Sequence, residues 1–126
     1  MPPLQWDDHC YQTAKSWCET MASESKMYHG GHGGMGQNCA SSTGASLTLA
    51  QAVQLWYDEI RDYDFTGGAK HTGVVGHFTQ VVWKGTSKVG MAKATAKDGS
   101  CYICANYSKP GNMRGSEKQN VFPKQE

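Results

Sequence analysis

A chain of 126 residues, 38% apolar and 10% aromatic, has room for one domain, residues 1–126, and one core, in which four tryptophans carry much of the burial. Twelve Lys and Arg against eleven Asp and Glu leave a formal charge of +1 with no basic run, so nucleic acid is excluded as an expected partner. No stretch approaches the roughly 20 consecutive apolar residues of a membrane-spanning helix, and the opening MPPLQWDD has neither the basic nor the apolar region of a signal peptide, nor a Met-Gly start; an extracellular place is expected only for a trimmed mature chain, and otherwise an intracellular one peripheral to membranes.

Trp6-Asp7-Asp8 reads as a helix entry, and Cys10, Ala14, Trp17, Cys18 and Met21 then recur on one face, which predicts a helix over 8–24. His29-Gly-Gly-His32-Gly-Gly-Met35-Gly36 is too rich in glycine for an element and reads as a loop. Thr48 with Gln51 forms a capping box for a second helix whose apolar stripe runs through Leu49, Ala52, Val53, Trp56, Ile60 and Tyr63. Glu59 falls at the margin of that stripe, where a carboxylate needs a metal, a histidine or an arginine as partner, while Asp58, Arg61 and Asp62 point toward water.

After a Gly-rich connection, Phe78, Val81 and Val82 repeat at helical spacing in GHFTQVVWK, which predicts a short helix. Alternation over Met91–Ala96 and the run Cys101–Ser108 flank Asp98-Gly99, a two-residue hairpin signal. That turn would put Ala92, Ala94 and Ala96 on one face with Cys101, Ile103, Ala105 and Tyr107. The tryptophans and Phe78 are expected in the core, and His9 and His71 in solvent. Helices packed on a small antiparallel sheet make an α+β domain.

The five cysteines do not pair within an element. Cys10 and Cys18 are separated by roughly 12 Å of helix, and Cys101 and Cys104 by about 10 Å of strand with opposite-facing side chains. CYIC is therefore not a redox pair of the thioredoxin kind. Cys39 has Cys10, Cys18 or a strand cysteine as partners across elements, against reduced thiols serving as small core residues.

PPLQW at 2–6, WYDEI at 56–60, GHFTQVVWK at 76–84, KVG at 88–90 and NYSKPGN at 106–112 together resemble the CAP superfamily, which groups pathogenesis-related proteins, insect venom antigens and cysteine-rich secretory proteins. KVGMAKATAKDGS is most similar to the Golgi-associated plant-pathogenesis-related subgroup. The resemblance implies an α-β-α sandwich and a cleft with two histidines and two acidic residues, the histidines binding zinc or another divalent ion. It also implies a helix ahead of PPLQW, with which this chain begins, and disulfides for which the chain has no equivalent cysteines. Carried onto this sequence, the histidines are His77 and His29, with His32 as the competing assignment, and one acidic residue is Glu59. The other belongs to a GENLA motif that here reads Gly36-Gln37-Asn38-Cys39-Ala40, so Gln37 stands in a glutamate's place.

An amide has no ionisable proton and cannot serve as a base or supply negative charge beside a metal. The expectation is therefore a non-enzymatic domain with His29 and His77 as zinc ligands, Glu59 and Gln37 lining the cleft, and a lipid, membrane surface or protein partner bound elsewhere. Tyr63-Asp64-Phe65 is a candidate lipid contact. A metal-assisted hydrolase with Glu59 as base and a structural component prone to self-association are the alternatives.

Overall fold

The computed structural model describes residues 4–43, 47–62, 76–112 and 120–121. Helix α1 (Asp8–Glu24) starts where the Asp7 carboxylate accepts the Cys10 backbone N–H at 3.0 Å, which satisfies one of the donors that a first turn leaves unpaired. Of its predicted face, Cys10, Ala14, Cys18 and Met21 are out of contact with solvent, while Trp17, expected in the core, is only half-buried at the edge of that face.

That face lies on a four-stranded sheet of β1 (Gln5–Trp6), β2 (Gly36–Ser42), β3 (Lys88–Thr95) and β4 (Cys101–Ser108), in the order β1-β3-β4-β2. The three long strands pair antiparallel, and the two-residue β1 pairs parallel to β3. The helix rides directly on β3 because position 90 is glycine; a Cβ there would fall 2.1 Å from the Tyr11 backbone nitrogen. Helix α2 (Leu49–Tyr57) carries the expected capping box, continues as a 3-10 turn over Asp58–Asp62, and covers the other face of the sheet together with α3 (Gly76–Val82).

The result is three layers, α-β-α. Cys18, Met21, Ala92, Tyr102 and Cys104 pack between α1 and the sheet, and Trp56, Met91, Ile103, Ala105 and Tyr107 pack between the sheet and α2. Strand β4, buried from Cys101 to Tyr107, is the centre of both cores. A third cluster of Phe78, Trp83 and Val121 closes the far end of α3. No helix among the described residues is long and apolar enough to cross a membrane.

Several expectations change. Strands β1 and β2 carry no strand signal in the sequence, because Gln5–Trp6 is too short for a pattern and GQNCASS lacks the β-branched residues that mark strands. The helix from Thr48 stops being α-helical at Tyr57. The hairpin turn is also longer than Asp98-Gly99. Ala96 N–H donates to the Ser100 carbonyl at 2.8 Å, Gly99 N–H donates to the Ala96 carbonyl at 3.0 Å, and Gly99 takes φ +88.

This three-residue loop with a left-handed glycine pairs Ala94 with Tyr102 and Ala92 with Cys104. A shift of one residue exchanges the two faces, so Ala92 and Ala94 side with Tyr102, Cys104 and Asn106 against α1. Trp6 is 58% exposed instead of buried and leans on Tyr11 at 5.7 Å between ring centroids. His9 is exposed as expected, whereas His71 and Tyr63-Asp64-Phe65 lie outside the described residues.

Candidate functional site

The cleft opens at the β2 edge of the sheet, where one imidazole arrives from each helical layer. It encloses about 200 Å³ and is lined by His29, Gln37, Asn38, Gly76, His77 and Asn112.

His29 sits on the loop after α1, and Trp17 anchors that loop. The indole N–H donates to the Tyr28 carbonyl at 2.8 Å, the ring meets the Tyr28 ring edge-on at 4.8 Å, and the side chain lies close against Gly30 and Gly31. Gln37 on β2 then clamps the loop. Its Oε1 accepts the Gly30 N–H at 3.1 Å and its Nε2 donates to the Gly30 carbonyl at 2.7 Å and to Asn106 Oδ1 at 3.0 Å.

That two-sided contact with one backbone unit fixes which way the amide points, and Oε1 therefore faces His29 Nδ1 at 2.9 Å. An amide oxygen only accepts, so the proton of a neutral His29 is on Nδ1 and the Nε2 lone pair is left over. Behind Gln37, the buried Asn106 is itself tied to α1 by donating from Nδ2 to Thr13 Oγ1 at 2.9 Å.

His77 is set by the opposite layer. Glu59 Oε2 accepts from His77 Nδ1 at 2.8 Å, while Oε1 accepts the backbone N–H groups of His77 and Phe78, each at 3.0 Å. The carboxylate thus caps the first turn of α3 and selects the Nδ1–H tautomer in one contact. Trp56 lies parallel to the His77 ring, with centroids 6.3 Å apart, and its N–H donates to the Cys39 carbonyl of β2 at 3.2 Å.

Asn38 joins the layers by donating from Nδ2 to the His77 carbonyl at 3.1 Å and to the Tyr107 hydroxyl at 3.2 Å. Burial pushes the Tyr107 phenol above its ordinary range, which keeps that acceptor neutral. Asn112, at φ 56, donates to the Gly76 carbonyl at 2.8 Å and accepts from Thr79 Oγ1, closing the rim.

Of the residues singled out from the sequence, His29, His77 and Gln37 meet at this cleft. Glu59 stands behind His77 and is not part of the lining. His32 is on the same loop as His29 but is likewise not in the lining, and its Nδ1 is buried with no hydrogen-bond partner among the described residues. Three further residues complete the site from inside the motifs GQNCA and NYSKPGN: Asn38 and Asn112 in the lining and Asn106 behind Gln37. Among the described residues no group of three or more His, Cys, Asp or Glu side chains is gathered at metal-holding distance. All five cysteines are buried and unbridged.

Comparison with known proteins agrees with this architecture. The model of the cysteine-rich secretory protein family, CAP, matches residues 1–107. Pathogenesis-related protein 1A of Nicotiana tabacum is 38% identical over 114 residues, which cover 90% of this chain and 67% of that protein. Golgi-associated plant pathogenesis-related protein 1 of Homo sapiens is 35% identical over 127 residues, 98% of this chain and 82% of its own. Among solved structures, BmVAL-1 superposes with a TM-score of 0.70 at 23% identity, covering 87% of this chain and 60% of its own. The crystal structure of NaASP2 with Zn2+ superposes with a TM-score of 0.68 at 25% identity, covering 87% and 62%. The chain thus spans about 60% of the length of these two solved relatives. By sequence and by fold, this chain belongs to the CAP family.

Proposed function

We propose that this is a non-enzymatic binding domain whose cleft takes one divalent metal ion, zinc, on Nε2 of His29 and Nε2 of His77, and whose outer surface attaches to a lipid membrane or a protein partner. The observation that carries the metal half is the pair of fixed tautomers. Gln37 and Glu59 each consume an Nδ1–H, so both rings keep the Nε2 lone pair that a metal needs. Zinc favours four ligands, and with two from the protein the remaining positions fall to solvent or to a bound molecule. The zinc-containing relative NaASP2 supports the choice of metal. When bound, the ion would supply Lewis acidity to whatever enters the cleft.

A hydrolytic reading has less support. Both Glu59 oxygens are engaged by N–H donors on the far side of His77, and Gln37 has no proton to exchange. The attachment half rests on large apolar side chains in solvent: Trp6 at 58% exposure, Leu55 at 55% and Met27 at 48%.

Calorimetric zinc titration tests the metal. A single site is expected, weakened by more than about tenfold in His29→Ala and in His77→Ala; binding indifferent to both substitutions would remove the cleft from the account. Flotation with phosphatidylserine vesicles tests attachment, with recovery in the lipid fraction expected and reduced by Trp6→Ala. No flotation in either metal state would leave a protein as the partner to seek.

A further inference from the structure

Three of the five thiols share one buried layer under α1. Cys39 of β2 and Cys104 of β4 are direct cross-strand partners, and Ala92 of β3 continues the same rung. Cys18 comes down on that rung from α1 and donates its thiol to the Ala92 carbonyl at 3.2 Å. Cys104 lies between the other two. The neighbouring Cys18 and Cys39 thiols, with burial added, hold its own thiol well above the ordinary range, and that thiol donates to Asn106 Oδ1 at 3.5 Å.

Partners on neighbouring antiparallel strands have Cα atoms about 4.5–5.5 Å apart, within the about 4.4–6.8 Å that a disulfide spans, and their side chains leave the same face of the sheet. Cys39 is the member nearest the cleft. It is 5% exposed, and its Sγ lies 3.9 Å from Nδ1 of His29, a lining residue. Cys18 and Cys104 have no exposure at all. A small oxidant entering by the cleft therefore meets Cys39 first, with a second thiol directly behind it.

We propose that Cys39 and Cys104 form an oxidation site for hydroperoxides, closing to a cross-strand disulfide. The Cys39 thiol is oxidised by hydrogen peroxide to the sulfenic acid with release of one water, and the Cys104 thiol then condenses with it, expelling the second water and forming the S–S bond. Two thiols lose two protons and two electrons, and one peroxide takes up both to become two waters. The next rung on the same face is Gln37 opposite Asn106, the pair that holds the His29 loop, so the cross-link ties down the strands on which that loop rests. This chemistry is independent of zinc binding and stands or falls apart from it.

The test treats the folded, metal-free protein with a small excess of hydrogen peroxide, blocks remaining thiols with an alkylating agent, and reads intact mass and peptide maps. The expected product is about 2 Da lighter before alkylation, takes up three alkyl groups where the reduced protein after unfolding takes five, and yields one cross-linked peptide joining Cys39 to Cys104. Cys39→Ser and Cys104→Ser abolish it, while Cys10→Ser and Cys101→Ser leave it intact, which separates loss of the pair from loss of any buried thiol. A cross-link of Cys104 to Cys18, or five alkylatable thiols after peroxide treatment, overturns the proposal.

Discussion

Glu59 grips His77 at both its ring and its backbone: one carboxylate oxygen accepts Nδ1–H at 2.8 Å and the other accepts the main-chain N–H at 3.0 Å. Glu59→Gln separates the two duties. With its amide oxygen kept on the backbone donors, the new NH2 group faces Nδ1 and drives the proton to Nε2, which removes the lone pair from the cleft. The alternative amide orientation opposes NH2 to two backbone N–H groups. The expected outcome is a zinc affinity lower by about 10–100-fold, a cost of about 1–3 kcal/mol in unfolding free energy, and a His77 imidazole switched to the Nε2–H form in 15N spectra. An unchanged tautomer would show that Glu59 does not set it.

Gln37→Glu tests the other imidazole and carries opposite signs for binding and stability. A carboxylate accepting from His29 Nδ1 makes Nε2 a better donor to a metal, so zinc binding strengthens, by about tenfold. The same change replaces an N–H donor with an oxygen facing the Gly30 carbonyl at 2.7 Å and Asn106 Oδ1 at 3.0 Å. Thermal unfolding should report a loss of about 1–3 kcal/mol. A variant that binds zinc more tightly and is also more stable would contradict the contacts assigned to Nε2.

How much of this was legible in the sequence depends on whether a local pattern or a distant partner decides each feature. The face of α1, the capping box at Thr48 and the place of Glu59 at the margin of an apolar stripe follow from side chains a few residues apart, whereas its partner His77 stands 18 residues away. The face of the hairpin does not: Asp98-Gly99 signals a turn, but the loop takes Lys97 as well, and one residue reverses every side chain of β3 relative to β4. Strand β2 is hidden because its interior is polar for reasons of the site. Gln37 serves the His29 loop and Asn38 serves Tyr107 and His77, so neither position shows the alternation of a plain strand. Residue types in the family motifs located the two histidines, whereas the contact that sets each tautomer became visible only with the strands in register.

Two carboxyls predict the acid limb of stability. Asp7 is held below the usual carboxylate range by the Cys10 backbone N–H, and Asp98 by the Ser100 backbone N–H. A carboxyl whose folded pKa lies below its unfolded value of about 3.9 binds its proton less readily in the folded state, so its contribution is complete above that value and is lost as pH falls through the folded pKa. The melting temperature should therefore drop below about pH 4. The double variant Asp7→Asn, Asp98→Asn should show a shallower drop with little change at pH 7, since asparagine still accepts the capping N–H. Parallel curves for the two proteins would assign the acid limb to other groups.

Gly30 sets how closely the His29 loop lies on α1, and a methyl group there has nowhere to go. A Cβ would stand 2.4 Å from Cη2 and 2.5 Å from Cζ2 of Trp17, whose ring is fixed by its bond to the Tyr28 carbonyl. Gly30→Ala should lift the loop, cost about 1–3 kcal/mol and separate His29 from Gln37, which weakens zinc binding in step. Both offending atoms belong to the outer ring of the indole, and phenylalanine lacks that second ring. Trp17→Phe alone should destabilise by loss of packing and of the indole N–H, but combined with Gly30→Ala it should cost less than the sum of the two, a coupling of about 0.5–3 kcal/mol in a double-mutant cycle. Strict additivity would mean that Trp17 and Gly30 do not define the loop's height, and the placement of His29 would need another cause.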